Sequence, residues 1–279
     1  MHWGKKPIFE LRNICFGTPN QTMRSNRMKM RTIGIALAAL ILLSCKPQYR
    51  IAEMSGSIIE MNSSFDTPQH AAMHSLVLSY KSELDEKMNA VIGTSEQAMM
   101  YGRPESLLTN FTSDVMKAYG DEHLAGGADV AMMNVHGHRA SMPAGEITIG
   151  NLFEVYSFDN AITFLEIRGS DLLELFNAYA RIGGAGISSN VRLTIENRSI
   201  KEVTLSGEAI DAERIYHVVT LDYLAEGNDN MSAMRNALTQ HNTGVTLRDV
   251  MIDHVKEESR RGNPIRSALD GRITITNQE

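Results

Sequence analysis

The densest group of polar side chains follows a short apolar run and reads Asn134-Val-His-Gly-His-Arg139. Two histidines two residues apart could bind a metal ion, because imidazole is the commonest metal ligand in proteins. A closed zinc site needs more ligands, and the chain has no His-Glu-x-x-His helix. We therefore expect His136 and His138 to be solvated loop residues. Arg139 is more informative, since a guanidinium beside a glycine can clamp a phosphate or carboxylate with two hydrogen bonds.

A second polar cluster, Leu221-Asp-Tyr-Leu-Ala-Glu-Gly-Asn-Asp-Asn230, follows a run of β-branched residues. A strand ending there would deliver Tyr223 to stack on a base and Asp229 to bind ribose hydroxyls. The alternative is structural: Tyr223 lies in the core, and Asp229 caps a helix that begins at Asn230. The residues alone leave both interpretations open.

Composition and missing motifs exclude several classes of protein. The chain has 279 residues, of which 43% are hydrophobic and 22% charged, as in ordinary globular proteins. Its formal net charge of −6 argues against a general nucleic-acid-binding protein. It contains no Gly-x-Ser-x-Gly, Walker or Gly-x-Gly-x-x-Gly sequence, which excludes those hydrolase, triphosphatase and dinucleotide-binding interpretations.

The first 44 residues carry seven Lys or Arg and a single acidic residue, and an apolar run from Thr32 to Leu43 leads to Leu-Leu-Ser-Cys45. A cationic segment before a short apolar run predicts a secretory signal, because spanning a bilayer takes about 20 residues. The end of the run resembles the lipobox of bacterial lipoproteins, in which Cys45 would be lipidated and become the mature N-terminus. The alternatives are an ordinary cleaved signal or a short buried helix.

We therefore predict that residues 1–45 are a signal region, with Met28 or Met30 as the true start. The protein is expected to be exported and lipid-anchored in the bacterial cell envelope, facing the periplasm or the outside. Residues 46–70 are predicted to form a polar tether with one strand-like stretch, Ile51 to Met61. Residues 71–279 are predicted to form one domain.

Within that domain, hydrophobic periodicity alternates between helical and strand patterns. The predicted helices are Ala71–Ala90, Ser106–Tyr119, Gly169–Ile182 and Thr246–Arg261. The predicted strands are Asp129–Asn134, Ala161–Arg168, Asn190–Glu196, Ser199–Ser206, Ile215–Leu221 and Arg272–Thr276, with a hairpin turn at Asn197-Arg198. Helices mixed with hairpins favour the α+β class over a regular βαβ array.

Four segments, taken in order, resemble the C-terminal domain of the 5′-nucleotidase family between Arg103 and Ile275. Pro104-Glu-Ser-Leu-Leu-Thr-Asn-Phe-Thr-Ser-Asp114 is similar to the family's opening helix. Asp129-Val-Ala-Met-Met-Asn-Val-His-Gly-His-Arg139 resembles its strand and Asn-Gly-Gly-Gly-Ile-Arg loop. Gly145-Glu-Ile-Thr through Ser157-Phe-Asp-Asn160 resembles Gly-x-Ile-Thr…Pro-Phe-Gly-Asn, and Asp222-Tyr-Leu-Ala-Glu-Gly-Asn-Asp229 resembles Asn-Phe-Leu-Ala-x-Gly-Gly-Asp.

The resemblance implies a layered α/β/β/α domain that holds the nucleotide, while a separate metallophosphoesterase domain carries two metals and a catalytic histidine. It implies that Arg139 contacts phosphate or ribose, that Tyr223 stacks on the base and that Asp229 binds ribose. The remaining substrate-binding residues that it implies are Asn134, Phe158, Asn160 and Arg192.

This chain departs from the family pattern in its loops. Val135 and His136 replace two glycines, Gly-Gly-Asp has become Gly-Asn-Asp, and Pro-Phe-Gly-Asn has become Ser-Phe-Asp-Asn. The second stacking aromatic, expected near Ile187 to Asn190, is missing. The resemblance therefore implies stacking on one face of the base.

About 60 residues separate Cys45 from the start of the match, too few for a metallophosphoesterase domain. We therefore expect no catalytic residue, metal ligand or cofactor in this chain, and divalent metals only in a partner. The predicted function is the nucleotide-binding half of a 5′-nucleotidase-type phosphohydrolase in nucleotide catabolism. Its expected partners are a nucleoside or nucleotide, a separate metallophosphoesterase protein and a membrane, but no nucleic acid polymer. The alternative is a non-catalytic cell-envelope lipoprotein that binds a ligand or serves as a scaffold.

Overall fold

The computed structural model describes residues 54–60, 62 and 71–276. The chain divides into two compact units, residues 1–67 and residues 68–279. In the first unit, residues 54–60 are exposed and have no regular secondary structure. The strand predicted for Ile51 to Met61 is therefore wrong over residues 54–60, because no strand in the described part of the chain pairs with them. Residues 51–53 and 61 lie outside the described residues. The predicted signal region with Cys45 lies outside the described residues.

The second unit contains six α-helices among its described residues. They are α1 (Ala71–Met88), α2 (Leu107–His123), α3 (Ile149–Val155), α4 (Gly169–Ile182), α5 (Asp222–Ala225) and α6 (Leu247–Arg260). None of these described helices is both long and apolar enough to cross a membrane.

The strands of this unit are short and mostly antiparallel. They are β1 (Val91–Ser95), β2 (Val130–Met133), β3 (Gly145–Thr148), β4 (Ala161–Arg168), β5 (Gly186–Ile187), β6 (Val191–Glu196), β7 (Ser199–Leu205), β8 (Glu208–Ala209), β9 (Ile215–Leu221), β10 (Thr239–Thr246) and β11 (Ile273–Thr276).

Local sequence explains where the main helices begin and end. Ser106 caps α2 in a capping box with Thr109, and Thr246 caps α6 by accepting from the Asp249 amide. The predicted helices at these places are confirmed. Helix α2 runs four residues past its predicted end, because a Lys117–Asp121 ion pair and the stacking of His123 on Tyr119 stabilise its last turn.

Helix α1 has the hydrophobic periodicity of an amphipathic helix, but its apolar side chains are not buried. Its apolar side chains have the spacing that predicts a helix, and the helix forms. None of its residues is buried, and Met73, Leu76 and Tyr80 are all exposed. The pattern therefore indicated the helix correctly but not its packing.

A five-stranded sheet with the order β10-β4-β9-β2-β5 forms the centre of the domain. Strands β2 and β9 are parallel, whereas β4 is antiparallel to β9 and β5 is antiparallel to β2. Ile162 of β4 lies opposite Leu221 of β9, and Gly186 of β5 lies opposite Met133 of β2. The ends of β2 and β9 and the beginnings of β4 and β5 therefore meet along one edge, which we call the site edge.

The second sheet has the order β11-β6-β7-β8, and helix α4 contacts both sheets. The predicted hairpin between β6 and β7 is confirmed, with Asn197 and Arg198 both left-handed at φ 50° and 61°. Strand β11 is parallel to β6, and Arg272 just before it is almost fully buried. Its guanidinium donates to both carboxylate oxygens of Asp114, both of Asp270 and the Ile187 carbonyl.

Candidate functional site

The site edge brings together three of the residues that the sequence singled out. Asn134 follows β2 and Tyr223 follows β9, so the parallel pairing of these strands places both side chains at the same edge. Asn134 Nδ2 donates to Asp229 Oδ2 at 2.6 Å, and the Tyr223 hydroxyl donates to Asp229 Oδ1 at 3.1 Å. The hydrogen bond to Asp229 and its charge raise the pKa of Tyr223. The three side chains therefore form one polar cluster around a carboxylate.

The backbone conformation around Asp229 is not that of a helix N-cap. Asp229 and Asn230 both adopt left-handed conformations, with φ of 54° and 65°. The next helical turn, a 3₁₀ turn, begins at Ser232 and has Met231 as its N-cap residue. The alternative in which Asp229 caps a helix from Asn230 is therefore wrong. The alternative that buries Tyr223 in the core is also wrong, because its side chain is 40% exposed.

The loop after β2 depends on a glycine. Val135–Gly137 form a single 3₁₀ turn. A Cβ atom at Gly137 would lie 2.7 Å from Asn134 Oδ1, so any other residue would displace the amide that holds Asp229. Asn134 Oδ1 is itself buried and has no hydrogen-bond partner in the described part of the chain. This turn retains the one glycine that the Asn134 side chain needs.

The two histidines of this loop have different environments. His136 is exposed, as expected, whereas the expectation of a solvated loop residue is wrong for His138, whose side chain is 1% exposed. Its ring packs against those of Tyr101 and Tyr156, and its nitrogens contact Thr112 Oγ1 and the Val135 carbonyl at 2.9 and 3.1 Å. Burial lowers the pKa of His138 to about 4, although the Val135 hydrogen bond opposes this change. Spacing alone cannot reveal this, because burial depends on residues distant in sequence.

Arg139 and Phe158 form a second pair at the site edge. The guanidinium carbon of Arg139 lies 5.6 Å from the centre of the Phe158 ring, and this ring is 46% exposed. Phe158 precedes β4 as Tyr223 follows β9, and these strands are neighbours. The segment from Ile187 to Asn190 indeed offers no ring, but Phe158 supplies a second exposed aromatic at the same edge.

Asn160 and Arg192 make no hydrogen bond with the Asp229 cluster among the described residues, although Asn160 directly precedes β4 at the site edge. The Asn160 carbonyl accepts from the Leu247 amide at 2.9 Å and so joins the start of β4 to α6. Arg192 lies on β6 in the second sheet, where it donates to the Ser189 and Val191 carbonyls and adds to the positive field on Asp270. The structure does not bring Arg192 together with Asn134, Tyr223 and Asp229.

A cavity of about 210 Å³ beside Asp229 identifies Arg103 as a residue that the sequence analysis missed. Its polar lining consists of Arg103, Asn134, His136, Tyr179, Asp229 and Asn230. Burial raises the pKa of Tyr179, the charge of Arg103 opposes this shift, and the charge of Asp229 reinforces it. A cation and an anion therefore face the same cavity. The only sequence signal for Arg103 was its place at the start of the segment that resembles the family.

The histidines and carboxylates of this region do not form a metal centre. Within residues 54–60, 62 and 71–276, no group of three or more His, Cys, Asp or Glu side chains could hold a metal ion. The chemistry that the described cluster offers is recognition of hydroxyl, aromatic and anionic groups.

Residues 91–236, about half of the chain, match the sequence pattern of the family described as "5′-nucleotidase, C-terminal domain". The chain belongs to this family. The predicted α+β layered fold is confirmed, since this C-terminal domain is similar to the 5′-nucleotidase precursor from Thermus thermophilus with a TM-score of 0.64. That likeness covers 74% of this chain and 43% of the other at 24% identity, and it concerns the fold alone.

Two curated relatives place this C-terminal domain within longer proteins. It is 27% identical over 183 residues to Protein UshA of Yersinia enterocolitica, covering 64% of this chain and 32% of the relative. It is 25% identical over 214 residues to the trifunctional nucleotide phosphoesterase protein YfkN of Bacillus subtilis, covering 70% of this chain and 14% of the relative. The chain thus spans a third or less of the length of these relatives.

Proposed function

We propose that this chain is the nucleotide-binding half of a 5′-nucleotidase-type phosphohydrolase, which a separate metallophosphoesterase chain completes in nucleotide catabolism. The observation that carries the proposal is the Asp229 carboxylate, held by Asn134 and Tyr223 at the edge where two parallel strands end. Ligands of α/β sheets commonly bind at such carboxyl ends. Membership of the 5′-nucleotidase C-terminal domain family supports a nucleotide as the ligand.

The nucleoside would be recognised by Asp229 and two rings. Each carboxylate oxygen accepts one hydrogen bond from the protein and keeps a lone pair for a ribose hydroxyl. Tyr223 and Phe158 expose their rings at the ends of neighbouring strands, so a base can stack against either or between them. This arrangement replaces the single stacking face that the sequence implied.

The phosphate would be recognised by arginines. Arg139 is exposed, and its guanidinium donates no hydrogen bond within the described residues, so its donors are available to an anion. Arg103 uses one Nη1 hydrogen bond to hold the Gly184 carbonyl and faces the cavity beside Asp229. One cation in the cavity beside Asp229 and a second with unused donors at the site edge suit a nucleoside monophosphate better than an uncharged nucleoside.

Hydrolysis would come from the partner. Phosphoester cleavage in this family requires metals that activate water and polarise the phosphate, and the resemblance assigns them to a separate domain. This chain would bind and orient the nucleotide so that its phosphate reaches those metals. Export and lipid anchoring through Cys45 belong to the same proposal and rest on the charge and hydrophobic pattern of residues 1–45.

Calorimetric titration tests the binding half of the proposal. Wild type, Asp229→Ala and Tyr223→Ala are titrated with AMP, adenosine and 2′,3′-dideoxyadenosine. Each substitution should weaken AMP binding about ten-fold, by loss of ribose hydrogen bonds or of a stacking face. Asp229→Ala should barely change binding of the dideoxy ligand, whereas Tyr223→Ala should weaken it. If wild type binds none of the three at millimolar concentration, the alternative of a non-catalytic lipoprotein is favoured.

Phosphate release from AMP tests the catalytic half. The purified chain with manganese, cobalt or zinc should release none, and addition of a metallophosphoesterase encoded beside its gene should produce turnover. Turnover by this chain alone that Arg139→Ala abolishes would overturn the need for a partner. Membrane fractionation of Cys45→Ser tests anchoring: a processed, membrane-bound product of wild-type size would contradict it.

A further inference from the structure

The turn between Asn134 and Arg139 separates two residues of the proposed site, and His138 holds that turn in place. We propose that His138 is a positioning residue that aims Arg139 at the anionic group of the ligand. This inference rests on the proposed function, because it needs a ligand whose phosphate Arg139 reaches. It concerns a position where the family pattern described above has isoleucine and this chain has histidine.

Two hydrogen bonds connect the His138 side chain to its surroundings, and a third extends the network from Thr112 to Tyr156. Its Nδ1–H donates to the Val135 carbonyl at 3.1 Å and closes the 3₁₀ turn. Its Nε2 lies 2.9 Å from Thr112 Oγ1, which also lies 2.8 Å from the Leu108 carbonyl and 2.8 Å from the Tyr156 hydroxyl. The turn is thereby tied to helix α2 through Thr112 and to the end of helix α3 through Tyr156.

These bonds limit where Arg139 can point. The Arg139 amide donates to the Val155 carbonyl at 2.9 Å, so its backbone is held directly on one side and through His138 on the other. The rings of Tyr101 and Tyr156 pack near the imidazole, with ring centres 5.9 and 5.6 Å away. Of the three glycines in the family's loop, only Gly137 remains here. A hydrogen-bonded imidazole would fix the conformation of this turn, whereas an apolar side chain at the same position could fix it only by packing.

The network requires one tautomer of the neutral ring. The Val135 carbonyl only accepts, so Nδ1 carries the proton that satisfies it, and Nε2 is then an acceptor. The single hydroxyl proton of Thr112 is in that case directed to Nε2 rather than to the Leu108 carbonyl, which lies 2.8 Å from the same oxygen. The titratable and charged groups around the ring are the phenols of Tyr101 and Tyr156, the neighbouring Arg139, and Arg248, which donates to the Tyr156 carbonyl. No carboxylate pairs with the ring in the described part of the chain, so a charged imidazole would lack a counter-ion here.

The test compares AMP with adenosine, because only AMP carries the group that Arg139 would contact. His138→Leu removes both hydrogen bonds and should lower AMP affinity about ten-fold while changing adenosine affinity less than two-fold. His138→Asn, whose amide can donate to the Val135 carbonyl, should recover most of the AMP affinity. His241→Leu, at an exposed histidine on β10, serves as the control and should leave both affinities unchanged.

Two further measurements keep the inference falsifiable if His138→Leu fails to fold. Thr112→Val removes one hydroxyl and should lower the AMP-to-adenosine affinity ratio in the same direction. Nitrogen NMR of the imidazole at pH 6 should show the proton on Nδ1. An unchanged affinity ratio in folded variants, or a proton on Nε2, would overturn the inference while the proposed function stands. Failure of wild type to bind either ligand would overturn both.

Discussion

Arg272 and Arg139 are the same side chain in two different situations. Arg272 is almost fully buried and uses all five N–H donors, on Asp114, Asp270 and the Ile187 carbonyl. Arg139 is exposed, rests on the Phe158 ring and donates no side-chain hydrogen bond among the described residues. An arginine whose donors are all occupied can only support the fold, whereas one with free donors can bind an anion.

The carboxylates of the two regions differ in the same way. Asp114 and Asp270 receive both arms of a guanidinium, and Arg272 holds the pKa of Asp270 below its usual range although burial acts to raise it. Among the described residues, the side chain of Asp229 is held by the neutral Asn134 amide and the Tyr223 hydroxyl alone. A carboxylate whose hydrogen bonds come from neutral groups keeps its capacity for ligand hydroxyls.

Among these tests of the difference between the two arginines, Arg272→Met should have the largest effect on stability. It leaves Asp114 and Asp270 without their cation, and we expect the free energy of unfolding to fall by about 4 kcal/mol, as for other buried pairs that lose one partner. Urea unfolding measures this change, with AMP titration on the folded fraction as the second readout. A loss below about 1 kcal/mol would show that the cluster does not support the fold.

The pH dependence of stability tests the burial of His138, the buried residue of the loop that carries Arg139. His138 has a pKa of about 4 when folded and an ordinary value near 6.5 when unfolded, so the unfolded state binds its proton first as pH falls. Its contribution is complete above pH 6.5 and is lost between about pH 6.5 and pH 4, at a cost of about 3 kcal/mol. The free energy of unfolding of wild type should therefore fall more steeply over this range than that of His138→Asn. Parallel curves would contradict the assignment.

Arg139→Met is the matched partner of the first substitution. It removes a cation whose donors are free, so stability should change by less than about 0.5 kcal/mol. AMP affinity should fall about ten-fold, and adenosine affinity should stay near its wild-type value. Thermal unfolding and calorimetry on one preparation give both readouts. A stability loss as large as that of Arg272→Met would remove the distinction between the two arginines.

The smallest expected effect on ligand affinity belongs to Gly137→Ala. The new methyl group would press on Asn134 Oδ1, so the amide must shift and release Asp229, with a stability loss of about 1 kcal/mol. Nucleoside affinity should fall a few-fold, as measured by calorimetry. Gly102→Ala is the control, since nothing lies within 4 Å of its Cβ position. Equal results for the two variants would mean that Gly137 has no special role.

Sequence patterns predicted the elements that carry their own local signals. Strand β4 has its predicted limits, Ala161 to Arg168, because an apolar run ends at Gly169. The turn at Asn197-Arg198 formed because asparagine tolerates the left-handed region. Strand β10 was missed, since most of its residues are exposed at the edge of the sheet and have no apolar alternation to detect.

The sequence by itself determined the family and the identity of the residues around the site edge. Each strand end and the polar loop after it form one contiguous segment, so their pattern can be recognised without knowledge of the fold. Only the tertiary structure decided which of these residues meet. Asn134 and Asp229 are 95 positions apart and join through the parallel pairing of β2 and β9, while Arg192 lies in another sheet. It also decided that His138 is buried and Tyr223 exposed. Burial and pairing arise from long-range contacts, which no single segment of the chain contains.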